Sequence, residues 1–302
     1  MSTDAAASVS TDAAASVSTD AAASVSTAHE STARGVAGAD QPAGALRVAG
    51  SGGAPLRVAV FGAAGRLGQV VAAALTADPR TDLVARLGRD TPRAVLTESG
   101  AQVAVDVTVP GAVLANVGAC LDAGLDVVVG TSGLGSAELA VLEAQLAGHA
   151  GLGVLVAPNF ALGSVLATRL AATAARFLAS VEIIELHHDR KVDAPSGTAR
   201  RTAQVVADAR ADAGLGPVPD ATAADPDGAR GALVDGIRVH AVRLPGLVAH
   251  QQVLFGGTGE VLTIRHDSTS RDSFAAGAVL AALAVPSRPG LTVGLEHVLG
   301  LA

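Results

Sequence analysis

Leu56-Arg-Val-Ala-Val-Phe61 runs directly into Gly62-Ala-Ala-Gly65-Arg-Leu-Gly68, and this junction decides the fold. The first six residues are apolar except for Arg57, which suits a strand buried on both faces. Three glycines follow, and the apolar run from Gln69 to Ala77 reads as a helix. A glycine turn between a strand and a helix lets the backbone approach a pyrophosphate. The helix start then offers free N–H groups and the positive end of its dipole. The spacing is G-x-x-G-x-x-G rather than the commoner G-x-G-x-x-G, so the context of first strand, first helix and further such units carries the reading. A tight turn without ligand is the alternative.

Outward from that junction the same alternation repeats. Strands are expected at Leu83–Arg86, Val103–Thr108, Leu125–Val129 and Gly153–Ala157, with helices at Ala112–Ala123 and Glu138–Ala147. This is the pattern of a Rossmann-like, doubly wound parallel sheet. It changes after Asn159. A long helix (Leu162–Leu178), a strand (Val181–His187), a loop and a second helix (Thr198–Ala211) lead into a Pro/Asp/Gly-rich loop over roughly 213–236. Strands at Ile237–Leu244, His250–Phe255 and Glu260–His266 then follow closely, as in a mixed or antiparallel sheet. The fold class expected is therefore α/β, with a second α+β domain. The expected divisions are a dinucleotide-binding domain at 55–160, a substrate-binding and oligomerisation domain at 161–272, and a return to the first domain at 273–302 through the helix Phe274–Ala284.

Before residue 55 the chain is different in kind. Residues 2–25 hold Ser-Thr-Asp-Ala-Ala-Ala-Ser-Val three times in tandem, and Ala49-Gly-Ser-Gly-Gly-Ala-Pro55 reads as a linker. Alanine and valine alone bury too little surface to offset the entropy of ordering, so 1–54 is expected to be a disordered tail. It reads neither as a secretory signal, having no basic residue before Arg34 and no apolar core, nor as a transit peptide, having Asp4, Asp12, Asp20 and Glu30.

Composition narrows the function. The chain is 302 residues, 49% hydrophobic, with five phenylalanines and no Tyr or Trp. A net charge of −7 and so few aromatics argue against a nucleic-acid partner. No apolar stretch is long enough to span a membrane. Cys120 is the single cysteine, lies in an apolar run and reads as core, which leaves no disulfide and no Cys-based zinc site. A cytoplasmic location is expected.

The residue that distinguishes NAD from NADP lies about 20 positions beyond the glycine turn. There the sequence is Ala85-Arg-Leu-Gly88-Arg89-Asp90, with no acid at the strand end. Arg86 and Arg89 suit a 2′-phosphate and so favour NADPH over NADH, although Asp90 remains a partner for a ribose if the loop bends back. Gly130-Thr131-Ser132 and Ala157-Pro158-Asn159-Phe160 fall at carboxyl ends of parallel strands, where open α/β sheets bind ligands.

The densest ionisable cluster is Glu185-Leu-His-His-Asp-Arg-Lys-Val-Asp-Ala-Pro-Ser-Gly-Thr198. Lys191 is the only lysine, every other basic side chain among the 21 being arginine. An ammonium can give up a proton where a guanidinium stays charged. Imidazole titrates near neutrality, so His187, His188 and Lys191 together suggest proton transfer. Ser196 or Thr198 caps the helix that follows, and its N–H groups with Lys191 make a carboxylate site. A metal on His187, His188 and Asp189 is the competing reading, disfavoured because consecutive residues rarely converge on one ion. His240, His250 and His266 are expected to be structural.

The glycine turn and this loop together resemble the 4-hydroxy-tetrahydrodipicolinate reductase (dihydrodipicolinate reductase) family over about residues 56–302. The 185–198 segment is the most specific match. Val105-Asp-Val-Thr-Val-Pro110, Gly130-Thr-Ser-Gly133, Ala157-Pro-Asn-Phe160 and His266-x-Ser-x-x-Arg271-x-x-Phe274-x-x-Gly277 follow in family order. The wording of the second half is most similar to actinobacterial members. The resemblance implies NAD(P)H-dependent reduction of a cyclic dicarboxylate, with loss of water, in lysine and diaminopimelate biosynthesis. It implies His187 as acid/base residue and Lys191 as proton donor. It places His188, Ser196, Gly197 and Thr198 on the substrate, and Gly62, Ala63, Ala64, Gly65, Arg66, Leu67, Gly130, Thr131, Ser132, Ala157, Pro158, Asn159 and Phe160 on the cofactor. It also implies a homotetramer built through the second-domain sheet. Two departures stand out: Ser132 where the family usually has threonine, and no acid near Gly88.

Overall fold

A computed structural model describes residues 53–301. The repeat segment expected to be a disordered tail lies outside the described residues, apart from Gly53 and Ala54. The first half alternates strictly: β1 (Leu56–Phe61), α1 (Arg66–Ala77), β2 (Thr81–Leu87), a short α2 (Val95–Glu98), β3 (Val103–Asp106), α3 (Pro110–Asp122), β4 (Asp126–Val129), α4 (Ser136–Leu146) and β5 (Gly153–Val156). There follow α5 (Leu162–Ala175), β6 (Ser180–His187), α6 (Gly197–Asp212), β7 (Ala232–Val234), β8 (Ile237–Arg243), β9 (Ala249–Gly257), β10 (Glu260–Ser268), α7 (Ala275–Ala284) and β11 (Gly290–Val293).

One sheet runs β11-β5-β4-β3-β1-β2 and is parallel throughout. Its strands are apolar at successive positions because each face has its own core. Val58, Val60, Val103 and Val105 pack with α1 and α7, while the intervening Ala59, Phe61 and Ala104 pack with α3 and α4. Cys120 is fully buried in the second of these cores, and burial pushes its thiol up to about 12, so it is inert packing as expected.

The other sheet runs β10-β9-β6-β8-β7, with β6–β8 parallel and the remaining pairs antiparallel. Val181, Ile183, Val239, Val253 and Phe255 bury one face against Ala171 and Ala175 of α5 and Ala199, Ala203 and Val206 of α6. Arg210 of α6, buried, donates to the carbonyls of Leu178, Ala179 and Gly216 and so ties α6 to the link between α5 and β6.

One expectation needs correction, and two further elements join those expected. The stretch 213–236 is not all loop: β7 lies within it as an edge strand paired to β8. The chain after Ala284 supplies β11, which adds to the edge of the first sheet through β5. The segment after Gly88 contains the one-turn α2. All three are short edge or surface pieces with little apolar periodicity of their own. Elsewhere the long helix closes at Ala175, before the expected Leu178, and α1 begins at Arg66, on the glycine turn itself.

Candidate active site

The first sheet reverses its strand order between β1 and β3, and the glycine turn leaves β1 at that point. Gly62 has φ +76°, and a Cβ there would lie 2.8 Å from the Val107 carbonyl oxygen, so the turn seats directly against the exit of β3. A Cβ on Gly68 would fall 2.0 Å from the Gly62 carbonyl oxygen, which fixes the approach of α1 to the turn. No side chain caps α1, and the N–H groups of Arg66 and Leu67 have no protein acceptor among the described residues. Ala64, Gly65 and Arg66 are exposed beside them, whereas Ala63 is buried. An uncapped helix start behind a backbone-only turn fits the phosphates of a dinucleotide.

Asp106, fully buried at the end of β3, joins the exit of that strand to α3 and to the loop after β4. Its Oδ1 accepts from the Thr108 N–H at 2.9 Å, the Thr108 hydroxyl at 2.6 Å and the Thr131 hydroxyl at 3.2 Å. Its Oδ2 accepts from the Asn116 amide at 2.8 Å. Thr131 is therefore buried and held, leaving Ser132 exposed at the tip. Gly130 carries no side chain because the Phe160 ring fills the space, 2.2 Å from where a Cβ would stand. Phe160 and Ala157 are buried, at 2% and 0% exposure, and they shape the Gly130 loop from behind. Pro158 is exposed and Asn159 half-buried; Asn159 accepts from the Ala161 N–H and donates to Ser164 at the start of α5.

Beside the end of β1 a recess is lined by Leu87, Gly88, Arg89, Thr91, Arg93 and Asn116, among others. Arg93 is engaged with the Ala115 carbonyl oxygen at 2.9 Å, whereas Arg89 is exposed and makes no hydrogen bond among the described residues. Arg86, the other expected 2′-phosphate partner, is exposed on β2 and does not line this recess.

On the second sheet the acid–base candidates gather around a residue the sequence reading gave no role. Glu185 is fully buried. Its Oε2 receives His187 Nδ1 at 2.5 Å and Arg243 Nη1 at 2.8 Å; its Oε1 receives Arg243 Nη2 at 2.7 Å and the Ser196 N–H at 3.0 Å. Burial alone pushes this carboxyl up, but the hydrogen bonds from His187 and Arg243 outweigh it and hold the carboxyl at about 2. Ser196, not Thr198, is the cap of α6: its Oγ accepts from the Ala199 N–H at 3.2 Å. Gly197 is exposed and Thr198 half-buried in the first helical turn, where N–H groups face outward.

Lys191 is not free. Its Nζ donates to Asp193 Oδ1 at 2.7 Å, and Arg243 Nη2 holds the Asp193 carbonyl oxygen at 2.7 Å. Burial raises the Asp193 carboxyl, but the Lys191 hydrogen bond, a backbone hydrogen bond and the charges of Lys191 and Arg243 together outweigh it, leaving it below its usual range. His188 is half-buried, and its Nδ1 is buried without a partner among the described residues. His240 pairs with Glu182 at 2.7 Å and His250 with Asp267 at 2.7 Å. Burial pushes His266 down; it packs against Gly163. No cluster of three His, Cys, Asp or Glu side chains suited to a metal occurs among the described residues.

The structure thus gathers the cofactor candidates into three contiguous loops and the acid–base candidates into one. No hydrogen bond among the described residues joins the two groups. Glu185, Arg243 and Asp106 are the participants that sequence reasoning missed. Glu185 had a signal, since residues two apart on a strand share a face with each other. Arg243 had none, being 58 positions from its partner.

A dinucleotide-type parallel sheet joined to a mixed sheet bearing acid–base groups defines a two-part oxidoreductase of the pyridine-nucleotide class. Family models described as dihydrodipicolinate reductase, N-terminus, and dihydrodipicolinate reductase, C-terminus, match residues 56–160 and 163–299. The chain belongs to the dihydrodipicolinate reductase family, which binds NAD(P)H. Relatives named 4-hydroxy-tetrahydrodipicolinate reductase include one from Streptomyces coelicolor, 55% identical over 82% of this chain and 98% of the relative. Another, from Nocardia farcinica, is 53% identical over 82% and 99%. A solved dipicolinate-bound dihydrodipicolinate reductase from a Paenisporosarcina species is 36% identical. It covers 80% of this chain and 99% of its own, with a TM-score of 0.72. No helix among the described residues is long and apolar enough to cross a membrane.

Proposed function

We infer that the chain reduces 4-hydroxy-tetrahydrodipicolinate to tetrahydrodipicolinate with loss of water, in lysine and diaminopimelate biosynthesis, using NADPH. The observation that carries this reading is the conjunction in one loop of His187 on a buried carboxylate, Lys191, and the capped start of α6. The dinucleotide, when bound, supplies the hydride. The start of α1, with Gly62–Leu67, holds its phosphates, and the Gly130–Ser132 and Pro158–Asn159 loops flank its nicotinamide. The N–H groups of Gly197 and Thr198, with His188 and Ser196, hold a substrate carboxylate. Lys191 leaves Asp193 and gives its proton to the reduced ring; His187 serves as the acid/base group. In this reading residues 55–160 bind the dinucleotide, 161–272 bind substrate and associate, and 273–302 return to the first sheet. Closure turns on hinges near Asn159 and Ser273.

Arg89, exposed and unengaged in the recess beside β1, supports NADPH over NADH, since no carboxylate there repels a 2′-phosphate. With freshly generated substrate, KM for NADPH is expected to be roughly tenfold or more below that for NADH, about 1.4 kcal/mol of discrimination. Arg89→Ala is expected to close the gap. Equal values in the unaltered chain overturn the preference. Cofactor binding without substrate-dependent oxidation would instead leave a non-catalytic sensor.

Among the described residues the second sheet has helices on one face only, and its other face exposes Val261 (72%), Leu233 (61%) and Val242 (37%). This supports association of four copies through that face. Val261→Asp is expected to lower the mass seen by light scattering; a tetramer unchanged by it, or a wild-type monomer, removes the assignment.

A further inference from the structure

We propose that Glu185 and Arg243 are positioning residues for the reaction, Glu185 setting the tautomer and aim of His187 and Arg243 locking Glu185 to the Lys191 loop. The proposal rests on His187 being the acid/base group. An ionised carboxylate only accepts hydrogen bonds, so the proton in the 2.5 Å contact belongs to His187 Nδ1. That leaves His187 Nε2 as the nitrogen with the lone pair. Nε2 has no protein hydrogen bond among the described residues, and the His187 side chain is 14% exposed, so it is the atom presented to a ligand. Glu185 and His187 lie on the same face of β6, two residues apart, which sets the contact by strand geometry alone.

Arg243 grips both carboxylate oxygens as a planar fork, so Glu185 cannot rotate away from His187. The same guanidinium holds the Asp193 carbonyl oxygen, and the Asp193 side chain holds Lys191. The Ser196 N–H, the fourth donor to Glu185, belongs to the cap of α6. One ion pair, with its carboxylate buried and its guanidinium partly so, therefore registers three parts of the site: the histidine, the lysine loop and the start of the helix proposed to bind carboxylate. Arg243 comes from the end of β8, which pairs in parallel with β6 and places His187 beside Arg243.

Glu185→Gln keeps the shape and tests the charge. Two donors, Arg243 Nη2 and the Ser196 N–H, meet at the Oε1 position, so the new amide oxygen settles there; the NH2 takes the Oε2 position, facing His187 and giving up the Arg243 Nη1 bond. The ring is then expected to accept at Nδ1 and carry its proton on Nε2. Nitrogen-15 spectra of the neutral His187 ring, assigned by loss of the signal in His187→Gln, read this directly. Expected for Glu185→Gln are a change from the Nδ1–H to the Nε2–H signature, a kcat lower by about 10–100-fold, and an unchanged dissociation constant for NADPH. A fall in kcat with the tautomer unmoved, or a changed tautomer with full kcat, overturns the proposal. If Glu185→Gln does not fold, the unaltered chain decides: a neutral His187 protonated on Nε2 refutes the assignment, and one protonated on Nδ1 upholds it. Full turnover in His187→Gln removes the acid/base reading itself and leaves the tautomer result standing.

Discussion

Lys191→Arg is expected to lower kcat by about 10²–10⁴-fold, the range general acid–base catalysis contributes, while the dissociation constant for NADPH stays within twofold (on the order of 0.4 kcal/mol). The substitution keeps a positive charge, and a guanidinium is a good partner for Asp193, which lies two residues on and now accepts from the Lys191 ammonium at 2.7 Å. Electrostatic attraction for a dicarboxylate should therefore survive. Proton donation should not, because arginine keeps its proton throughout the working pH range. Lys191→Ala loses both and should raise KM as well as lower kcat. Stopped-flow oxidation of NADPH with fresh substrate separates the two effects. Near-normal kcat in Lys191→Arg would reduce Lys191 to a charge, and the proton would have to come from elsewhere.

The contrast between Lys191 and the residues that hold it shows what was legible in the chain. The parallel sheet could be read because each strand feeds two cores, so β1, β3, β4 and β5 are apolar at nearly every position. β11 escaped because Gly290–Val293 is half-buried throughout and gains its strand character only by pairing with β5. The His187–Lys191 loop was visible as a local concentration of ionisable residues. Its organisation was not, because the fork on Glu185 depends on the register of β6 against β8, which are joined through α6 and a long loop. Asp106 was hidden in the same way. It sits inside a recognised segment, but its donors Asn116 and Thr131 come from α3 and from the loop after β4. Local sequence shows the chemistry available; long-range pairing determines which groups it serves.

That pairing should make the chain acid-labile in a particular window. Glu185 has its ordinary value at 4.5 when unfolded and is held at about 2 in the folded chain. A carboxyl whose value is depressed on folding binds fewer protons in the native state than in the unfolded one. It therefore stabilises the fold fully above about 4.5, and this contribution is lost as pH falls from there toward 2. The loss is on the order of 3 kcal/mol. Asp78, Asp193, Glu182 and Asp267 are depressed too, so acid weakens the whole chain, while Asp126, raised by burial, works in the opposite direction. Subtraction isolates Glu185. Denaturant unfolding of the unaltered chain and of Glu185→Gln, at steps from pH 7 to pH 2.5, should show the stability difference shrinking by most of that amount below about 4.5. His187 and Arg243 remain beside position 185 in both chains, so their charges enter both curves. A difference that stays flat across the window would mean that the Glu185 carboxyl titrates alike in the folded and unfolded chains. The fork from Arg243 and the bond from His187 would then add nothing to the stability of its charged form.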